Sequence, residues 1–281
     1  MKSMIAPSAE AESSPITPDE AAGELAPCAR RPGKEAVLKF PDSEDMESPM
    51  GVTTQAPASV PMVPTAAAIE VGTPARAVAW AVAKRTFDTV LALVMLIAVA
   101  PLMAIIALLV KLDSPGPVLF RQQRCGRHRQ PFVVLKFRTM TDGASPEAHR
   151  RYIAELAGAS AEAEGLKKLT RDERVTRIGA LLRKSSLDEL PQLYNVLVGQ
   201  MSLVGPRPAI DYELEHYEPE HYARFDVRPG LTGLWQVSGR SRLGFHEMLA
   251  LDAAYARTTG PLVDAQILVR TPREILRGAA A

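Results

Sequence analysis

Thr89–Val110 reads TVLALVMLIAVAPLMAIIALLV, 22 residues without a charge and with one proline, Pro101, near the middle. How this run is read decides the fold. A helix of about 20 apolar residues crosses the roughly 30 Å hydrocarbon core of a bilayer, so the run is long enough to span. Pro101 works against a plain span. It has no N–H to offer the carbonyl of Ile97, and its ring crowds the preceding turn. Three readings stand: a plain anchor, a helix that breaks at Pro101 and leaves by the face it entered, and a buried helix of a soluble core. Kinked spanning helices exist, so the proline alone does not choose between the first two, while the length speaks against the third. The helix is expected over Ala77–Val110, with Lys84, Arg85 and Asp88 at its interfacial start and Lys111 and Asp113 at its exit. Cations on both flanks lean against a crossing.

Upstream the composition changes. Residues 1–75 hold 11 of the 23 prolines, 5 Lys and Arg, and 11 Asp and Glu. No apolar period persists there, so the segment is expected to be a disordered acidic tail. The N-terminus has Lys2 but no apolar run behind it, and no secretory signal is expected. The net charge of +1 therefore hides an ordered part that is strongly basic, with 28 Lys and Arg against 21 Asp and Glu after Ala75. A basic body suits phosphates and anionic headgroups, and does not by itself exclude nucleic acid. Cys28 and Cys125 are far apart, form no CxxC, and suggest no disulfide framework, so a reducing compartment is expected.

Downstream, Ser114-Pro115-Gly116-Pro117 ends the helix by turn chemistry. Val118–Arg124 and Pro131–Thr139 read as two strands of a hairpin turning at residues 125–130. The pair carries Arg121, Arg124, Arg127, Arg129, Lys136 and Arg138, a density that suits anionic lipid as well as a substrate. Ala144–Lys168 reads as a helix. Val175, Ile178, Leu181 and Leu182 keep helical spacing up to Ser185-Ser186, and Leu190, Leu193, Val196 and Leu197 resume it up to Gly199. Two more helices are expected at Phe245–Arg257 and Leu262–Leu276. The last is amphipathic, with Arg270, Arg273 and Arg277, and suits either a membrane surface or the core.

The residues with chemistry in them begin at Asp188-Glu189. Ser186-Leu187-Asp188-Glu189 fits a capping box, in which both acids are ordinary helix-start residues. Pro191 weakens that reading, because with Ser186 as cap it would fall where an N–H is needed. With Asp188 as cap it falls in the first turn, where none is needed, and Asp188 then stands at a positive helix end, a natural phosphate site. Gly205-Pro206-Arg207-Pro208 fixes the backbone on both sides of one arginine, whose guanidinium can grip phosphate through two parallel hydrogen bonds. Arg228–Trp235, RPGLTGLW, is a similar glycine-proline loop. The five histidines are scattered with no ligand spacing, so any metal would be a hard ion on carboxylate and phosphate oxygens. There is no glycine-rich phosphate cradle and no Ser-His-Asp pattern. A membrane segment leading into acids and arginines points to chemistry on a phosphorylated compound at a lipid surface.

Taken in order, KRTFDTVLAL (84–93), SPGPVLFRQQRCGR (114–127), KFRTM (136–140), RIGALLRKSSLDELPQLYNVLVGQMSLVGPRP (177–208) and RPGLTGLWQVSGR (228–240) resemble the bacterial sugar transferase family. These are the monotopic phosphoglycosyl transferases that load a sugar phosphate onto undecaprenyl phosphate. The match runs from Lys84 to Leu276, and its RPGLTGLWQVSGR ending resembles the branch that initiates exopolysaccharide with a hexose. Where the longest members have several extra membrane helices, this chain has its acidic tail.

The resemblance implies an α+β protein with three parts: the tail at 1–75, a re-entrant membrane helix at 76–113 broken at Pro101, and a small, mainly helical cytosolic phosphoglycosyl transferase domain at 114–281 with a β-hairpin and amphipathic interfacial helices. It implies an enzyme that moves hexose 1-phosphate from a UDP-sugar to polyprenyl phosphate, releases UMP and needs Mg²⁺. By the same resemblance Asp188 is the nucleophile and forms a phosphosugar intermediate. Glu189 beside it places metal or moves a proton, and the two acids are the metal ligands. Lys136, Arg138, Arg183 and Arg207 are expected to bind phosphate. The setting implied is the cytoplasmic face of the bacterial inner membrane, without a nucleic-acid partner and with self-association left open. Two other readings of the residues remain: a lipid phosphatase using Asp188, and a basic membrane adaptor in which Asp188 only caps a helix.

Overall fold

The computed structural model describes residue 28 and residues 74–145, 147–158, 172–239 and 243–280. The tail expected over 1–75 lies outside the described residues, apart from Cys28 and the first helical positions. So does the part of the helix expected over Ala144–Lys168 that follows Gly158.

The molecule is mixed helix and sheet, as expected. Helix α1, Pro74–Asp113, takes up the apolar run. Val78–Asp113 is long and apolar enough to cross a membrane, and only 11% of its most apolar window is buried. That low figure removes the soluble-core reading. The expected break is corrected: Pro101 sits inside one continuous helix. A single proline removes one donor and bends a helix without ending it, provided the turns on either side are held. Here both are held. Near one end Leu91, Ala92, Met95, Leu96 and Val99 pack into one core cluster, and beyond Pro101 Met103, Ile106, Ala107 and Val110 pack into another. Between them Ile97 is 68% exposed.

After α1 the chain turns through Gly116, whose φ is +117° and whose place has no room for a Cβ: one would lie 2.1 Å from the Arg138 guanidinium. Strands β1, Leu119–Cys125, and β2, Pro131–Phe137, form the expected antiparallel hairpin, with Phe120 opposite Lys136. Helix α2 is Glu147–Gly158. Helix α3, Arg177–Ser185, starts at Thr176, whose side chain accepts from the Gly179 N–H. Asp113 at the end of α1 accepts from the next orphan donor, Ile178 N–H, at 3.0 Å. A 3₁₀ turn, Leu187–Glu189, leads to α4, Gln192–Leu197.

Two three-residue strands, β3 Ser202–Val204 and β4 Gly230–Thr232, pair in parallel, which the sequence reading did not contain. Helices α5 Leu234–Ser238, α6 Phe245–Thr258 and α7 Pro261–Ala280 complete the chain. The last two fall where the periodicity puts them. In α7, Leu262, Val269 and Leu276 recur every seven residues and are all exposed, while Ile267 is buried, an apolar stripe suited to a membrane surface.

Asn195 does much to fix the geometry. It is 1% exposed, donates to Val133 O at 2.7 Å and accepts from Leu135 N–H at 3.1 Å, and so docks α4 along the open edge of β2. At the other end of α4, Arg85 of α1 donates to the Val196 and Leu197 carbonyls at 2.7 and 2.8 Å, which satisfies acceptors a helix end leaves open. Asp88 accepts from Ser202 Oγ at 2.7 Å, and Lys84 bonds Asp264 of α7 and Val204 O.

The two cysteines correct an expectation. Cys28 and Cys125 are joined by a disulfide, although a separation of 97 residues gives no spacing signal. Both lie in a core cluster with Ala209, Tyr217, Tyr222 and Phe225.

Candidate active site

The docking of α4 on β2 brings the acid pair to the hairpin. Lys136 Nζ lies 2.7 Å from Glu189 Oε1, both partly exposed. On the other side α3 is drawn against the end of β2. A Cβ on Gly179 would lie 2.1 Å from Thr139 O, and this close approach lets Arg183 Nε donate to Thr139 Oγ1 at 2.8 Å. Asp188 therefore stands between the Lys136 and Arg183 sides, with Glu189 next to it.

Neither capping reading, with Ser186 or with Asp188 as the cap, survives. Ser186 is in the left-handed region at φ 58° and makes no side-chain cap bond. It ends α3, with its N–H on the Arg183 and Leu182 carbonyls. Pro191, with no side-chain cap bond, precedes α4, which is only six residues long. Asp188 sits on the 3₁₀ turn ahead of that helix, so no helix end holds it ionised. Burial pushes its carboxyl up to about 6, with the charge of Glu189 adding to the rise and Lys136 and Arg183 opposing it. Glu189 is different. Burial raises it too, but Lys136, followed by Arg207 and Arg124, more than reverses this and holds it below its ordinary value. Two adjacent acids are thus pushed apart by their surroundings. Among the described residues the Asp188 carboxylate has no cationic hydrogen-bond partner.

The Gly205-Pro206-Arg207-Pro208 loop follows β3. Its backbone polar groups are matched one after another: Gly205 N–H donates to Thr232 O at 2.9 Å, and Pro206 O accepts from Gly230 N–H at 2.8 Å. Arg207 N–H donates to Asp252 at 3.3 Å, and Arg207 O accepts from Arg224 at 2.6 Å. Pro208 O accepts from Arg124 at 3.0 Å, and Ala209 O from Cys125 N–H at 2.8 Å. Only glycine permits the contact with β4, since a Cβ on Gly230 would lie 2.1 Å from Gly205 N. The prolines supply the two positions that need no donor partner. Among the described residues the Arg207 guanidinium itself makes no hydrogen bond.

Of the basic residues singled out from sequence, the structure brings Lys136, Arg183 and Arg207 around the acid pair. It does not bring Arg138. That guanidinium is buried on the Pro115 and Ser114 carbonyls at 2.8 and 2.7 Å, closing the exit of α1. Arg124 takes a place the sequence reading did not give it. It is buried, fixed to Gln122 Oε1 at 2.6 Å and to Pro208 O, and burial, then Arg207, lowers it to about 10. Beyond it His149 Nδ1 lies 2.6 Å from the Tyr212 hydroxyl, and burial, then Arg207, holds that imidazole down to about 4. Glu213 and Glu189 act on Arg124 from nearby, and two neighbouring guanidiniums can still offer donors to an anion.

Glu218, His221 and His246 also converge, with one ligand atom from each lying within 4.8 Å of the others. Sequence spacing hid this, since the 3₁₀ segment Pro219–Asp226 meets α6 only in the fold. Yet His221 Nδ1 accepts from Glu218 N–H at 3.0 Å, which puts its proton on Nε2 and blocks that atom as a ligand.

The family model described as bacterial sugar transferase matches residues 79–278. The chain belongs to the bacterial sugar transferase family, and it is a transferase enzyme. The exopolysaccharide production protein ExoY of Sinorhizobium fredii is 41% identical over 192 residues, 68% of this chain and 84% of that protein. The UDP-glucose:undecaprenyl-phosphate glucose-1-phosphate transferase of Caulobacter vibrioides is 42% identical over 73% of this chain and 74% of its own length. The undecaprenyl-phosphate galactose phosphotransferase of Salmonella typhimurium is 43% identical over 69% of this chain, and the match takes in 40% of its length. All the acids and arginines above lie inside the bacterial sugar transferase match.

Proposed function

We propose that this transferase moves a hexose 1-phosphate from a UDP-hexose to undecaprenyl phosphate and releases UMP, through a phosphosugar carried on Asp188, as the first step of exopolysaccharide assembly. The observation that carries the reading is the placement of Asp188, on the turn between α3, which carries Arg183, and α4, which is docked on the strand of Lys136, with no cationic hydrogen-bond partner among the described residues. The names of the relatives supply the two substrates. They include both glucose and galactose, so the donor sugar is drawn as a hexose and no more narrowly.

In the first half-reaction an Asp188 oxygen attacks the sugar-bound phosphorus. The bond from that phosphorus to the bridging oxygen breaks, and the electron pair leaves with UMP. In the second, an oxygen of undecaprenyl phosphate attacks the same phosphorus and the carboxylate departs unchanged. A carboxylate nucleophile divides one displacement into two easier ones. Lys136, Arg183 and Arg207 offset charge on the phosphoryl oxygens. Glu189, tied to Lys136 and held ionised, acts by charge and not as a proton carrier.

The donor set suits a hard cation. Mg²⁺ takes one or two carboxylates plus substrate phosphates, and the Asp188 oxygens with the Glu189 oxygen not on Lys136 would hold it. Burial is the main cause of the raised Asp188 carboxyl, and a cation bound there would favour its ionised form. When bound, the ion would lower the charge on the transferring group.

The enzyme works at the cytoplasmic face of the bacterial inner membrane, with α1, bent but unbroken at Pro101, entering and leaving on that side. Support comes from both ends of α1 being bonded to one body: Arg85 to α4, and Asp113 to α3. Cysteines placed at Ala79 and Arg121, in a chain without its own two, test the topology. Both should resist an impermeant reagent in intact cells, and labelling of one alone would mean a crossing. For the reaction, membranes holding the chain are given UDP-glucose, UDP-galactose and undecaprenyl phosphate. UMP release should need both a donor and the lipid, and free hexose phosphate without the lipid would mean a phosphatase.

A further inference from the structure

The Arg207 peptide is gripped on both sides by one buried ion pair. Arg224 and Asp252 are each almost wholly inaccessible and lie 2.7 Å apart. Asp252 Oδ2 accepts from the Arg207 N–H at 3.3 Å as well as from Arg224. Arg224 Nη2 donates to the Arg207 carbonyl at 2.6 Å, while its Nη1 bonds the Tyr217 hydroxyl. Among the described residues Asp252 Oδ1 has no hydrogen-bond partner. Both of the acid's hydrogen bonds therefore fall on the one oxygen that faces Arg207.

Removing charges from water is costly, and a buried pair often contributes little net stability. This one runs from α6 and the segment Pro219–Asp226 to the N–H and C=O of the single residue between two prolines. Those prolines fix φ at 206 and 208 and restrict Arg207, which precedes Pro208, to extended backbone, but that region is broad and leaves the Arg207 N–H and C=O free to rotate within it. The pair fixes them from behind, and its side chains end on the Arg207 backbone.

We propose that Arg224 and Asp252 are positioning residues for sugar-phosphate transfer, acting through the backbone of Arg207. The inference rests on the reading of Arg207 as a phosphate-binding residue. Displacing a substrate-holding group by about 1 Å costs on the order of a hundredfold in rate, so a small rotation of this peptide is enough to matter.

The test is a double-mutant cycle on the full chain purified into lipid nanodiscs, with UMP release read from radiolabelled donor and scaled to folded protein by thermal unfolding. Asp252→Asn and Arg224→Lys are each made in the native chain and in an Arg207→Ala chain. Arg224→Lys keeps the charge facing Asp252 but loses the planar fork that reaches two acceptors at once. In the native chain each should lower kcat/KM roughly ten- to a hundredfold. Added to Arg207→Ala, neither should lower it further, because residues acting through one group are not additive. Equal losses in both backgrounds would mean a general structural role and would overturn the proposal. So would failure of both variants to accumulate; if only Asp252→Asn fails, Arg224→Lys decides. An Arg207→Ala chain as active as the native one would overturn the reading of Arg207, and this inference with it.

Discussion

The turn that carries Asp188 and the loop that carries Arg207 face the same site and are built in opposite ways. Along Gly205–Ala209 the backbone polar groups are held by neighbours from four other elements. Along Ser186–Glu189 the chain is a left-handed serine and a short 3₁₀ turn, with backbone bonds of 3.3 Å and an unpaired carboxylate. The two jobs differ in the same way. A group that stabilises charge works best when fixed beforehand, since it then costs no reorganisation during reaction. A nucleophile has to approach phosphorus, bond to it and let go. In the proposed reaction the rigid loop binds, and the looser turn reacts.

If that contrast is right, removing the reacting group should cost most. Asp188→Asn should lower transfer by about 10⁴-fold or more, while the protein still folds and reaches the membrane. Full activity in that variant would erase the difference between the two regions. Arg207→Ala comes next, with a loss of about a hundredfold or more, measured as kcat/KM for UMP release. Arg183→Ala should cost less than Arg207→Ala, because its side chain is exposed and already tied to Thr139. Similar losses at both positions would mean that the held loop gains nothing from being held.

Acidity sharpens the comparison from the other side. With Asp188 raised to about 6, the reactive carboxylate is lost as pH falls through that value, so kcat/KM should drop on the acid side near pH 6. Lys136 opposes the rise, so Lys136→Met should move that acid limb to higher pH as well as slow the enzyme. A limb that stays in place, or moves down, would mean that another group titrates.

Smaller effects concern what holds the turn in reach. Asn195→Ala leaves buried backbone groups of β2 without partners and should lower stability by about 2–3 kcal/mol, read as a drop in the unfolding midpoint. Ser186→Gly should be smallest. Relief of a left-handed serine and the greater freedom of glycine in the unfolded chain nearly offset each other, within about 1 kcal/mol.

How much of this was legible depends on range. The α1 run, the hairpin and the last two helices announce themselves through periodicity and turn residues, which act over a few positions. The Gly205–Pro208 loop was visible as two prolines around Arg207. What makes it rigid was not, because Asp252 and Arg224 lie 45 and 17 residues away. The parallel pair β3–β4 was missed because three residues carry no alternation and their partners lie 28 positions on. Arg124 and Arg138 look alike on neighbouring strands. Only the fold sends one to the Pro208 carbonyl and the other to the exit of α1. The disulfide and the Glu218–His221–His246 cluster were hidden for the same reason, while Pro101 misled in the other direction. A local rule foresaw a break, and packing on both sides of the proline carries the helix through.

In the proposed reaction Asp188 carries the sugar phosphate during turnover. The direct measurement is to quench the purified enzyme with radiolabelled UDP-hexose in the absence of undecaprenyl phosphate, digest it, and map the labelled peptide by mass spectrometry. A hexose-phosphate mass on Asp188, discharged when the lipid phosphate is added, is the predicted result. Label on any other residue, or UMP formed with no covalent label at any time, would contradict it.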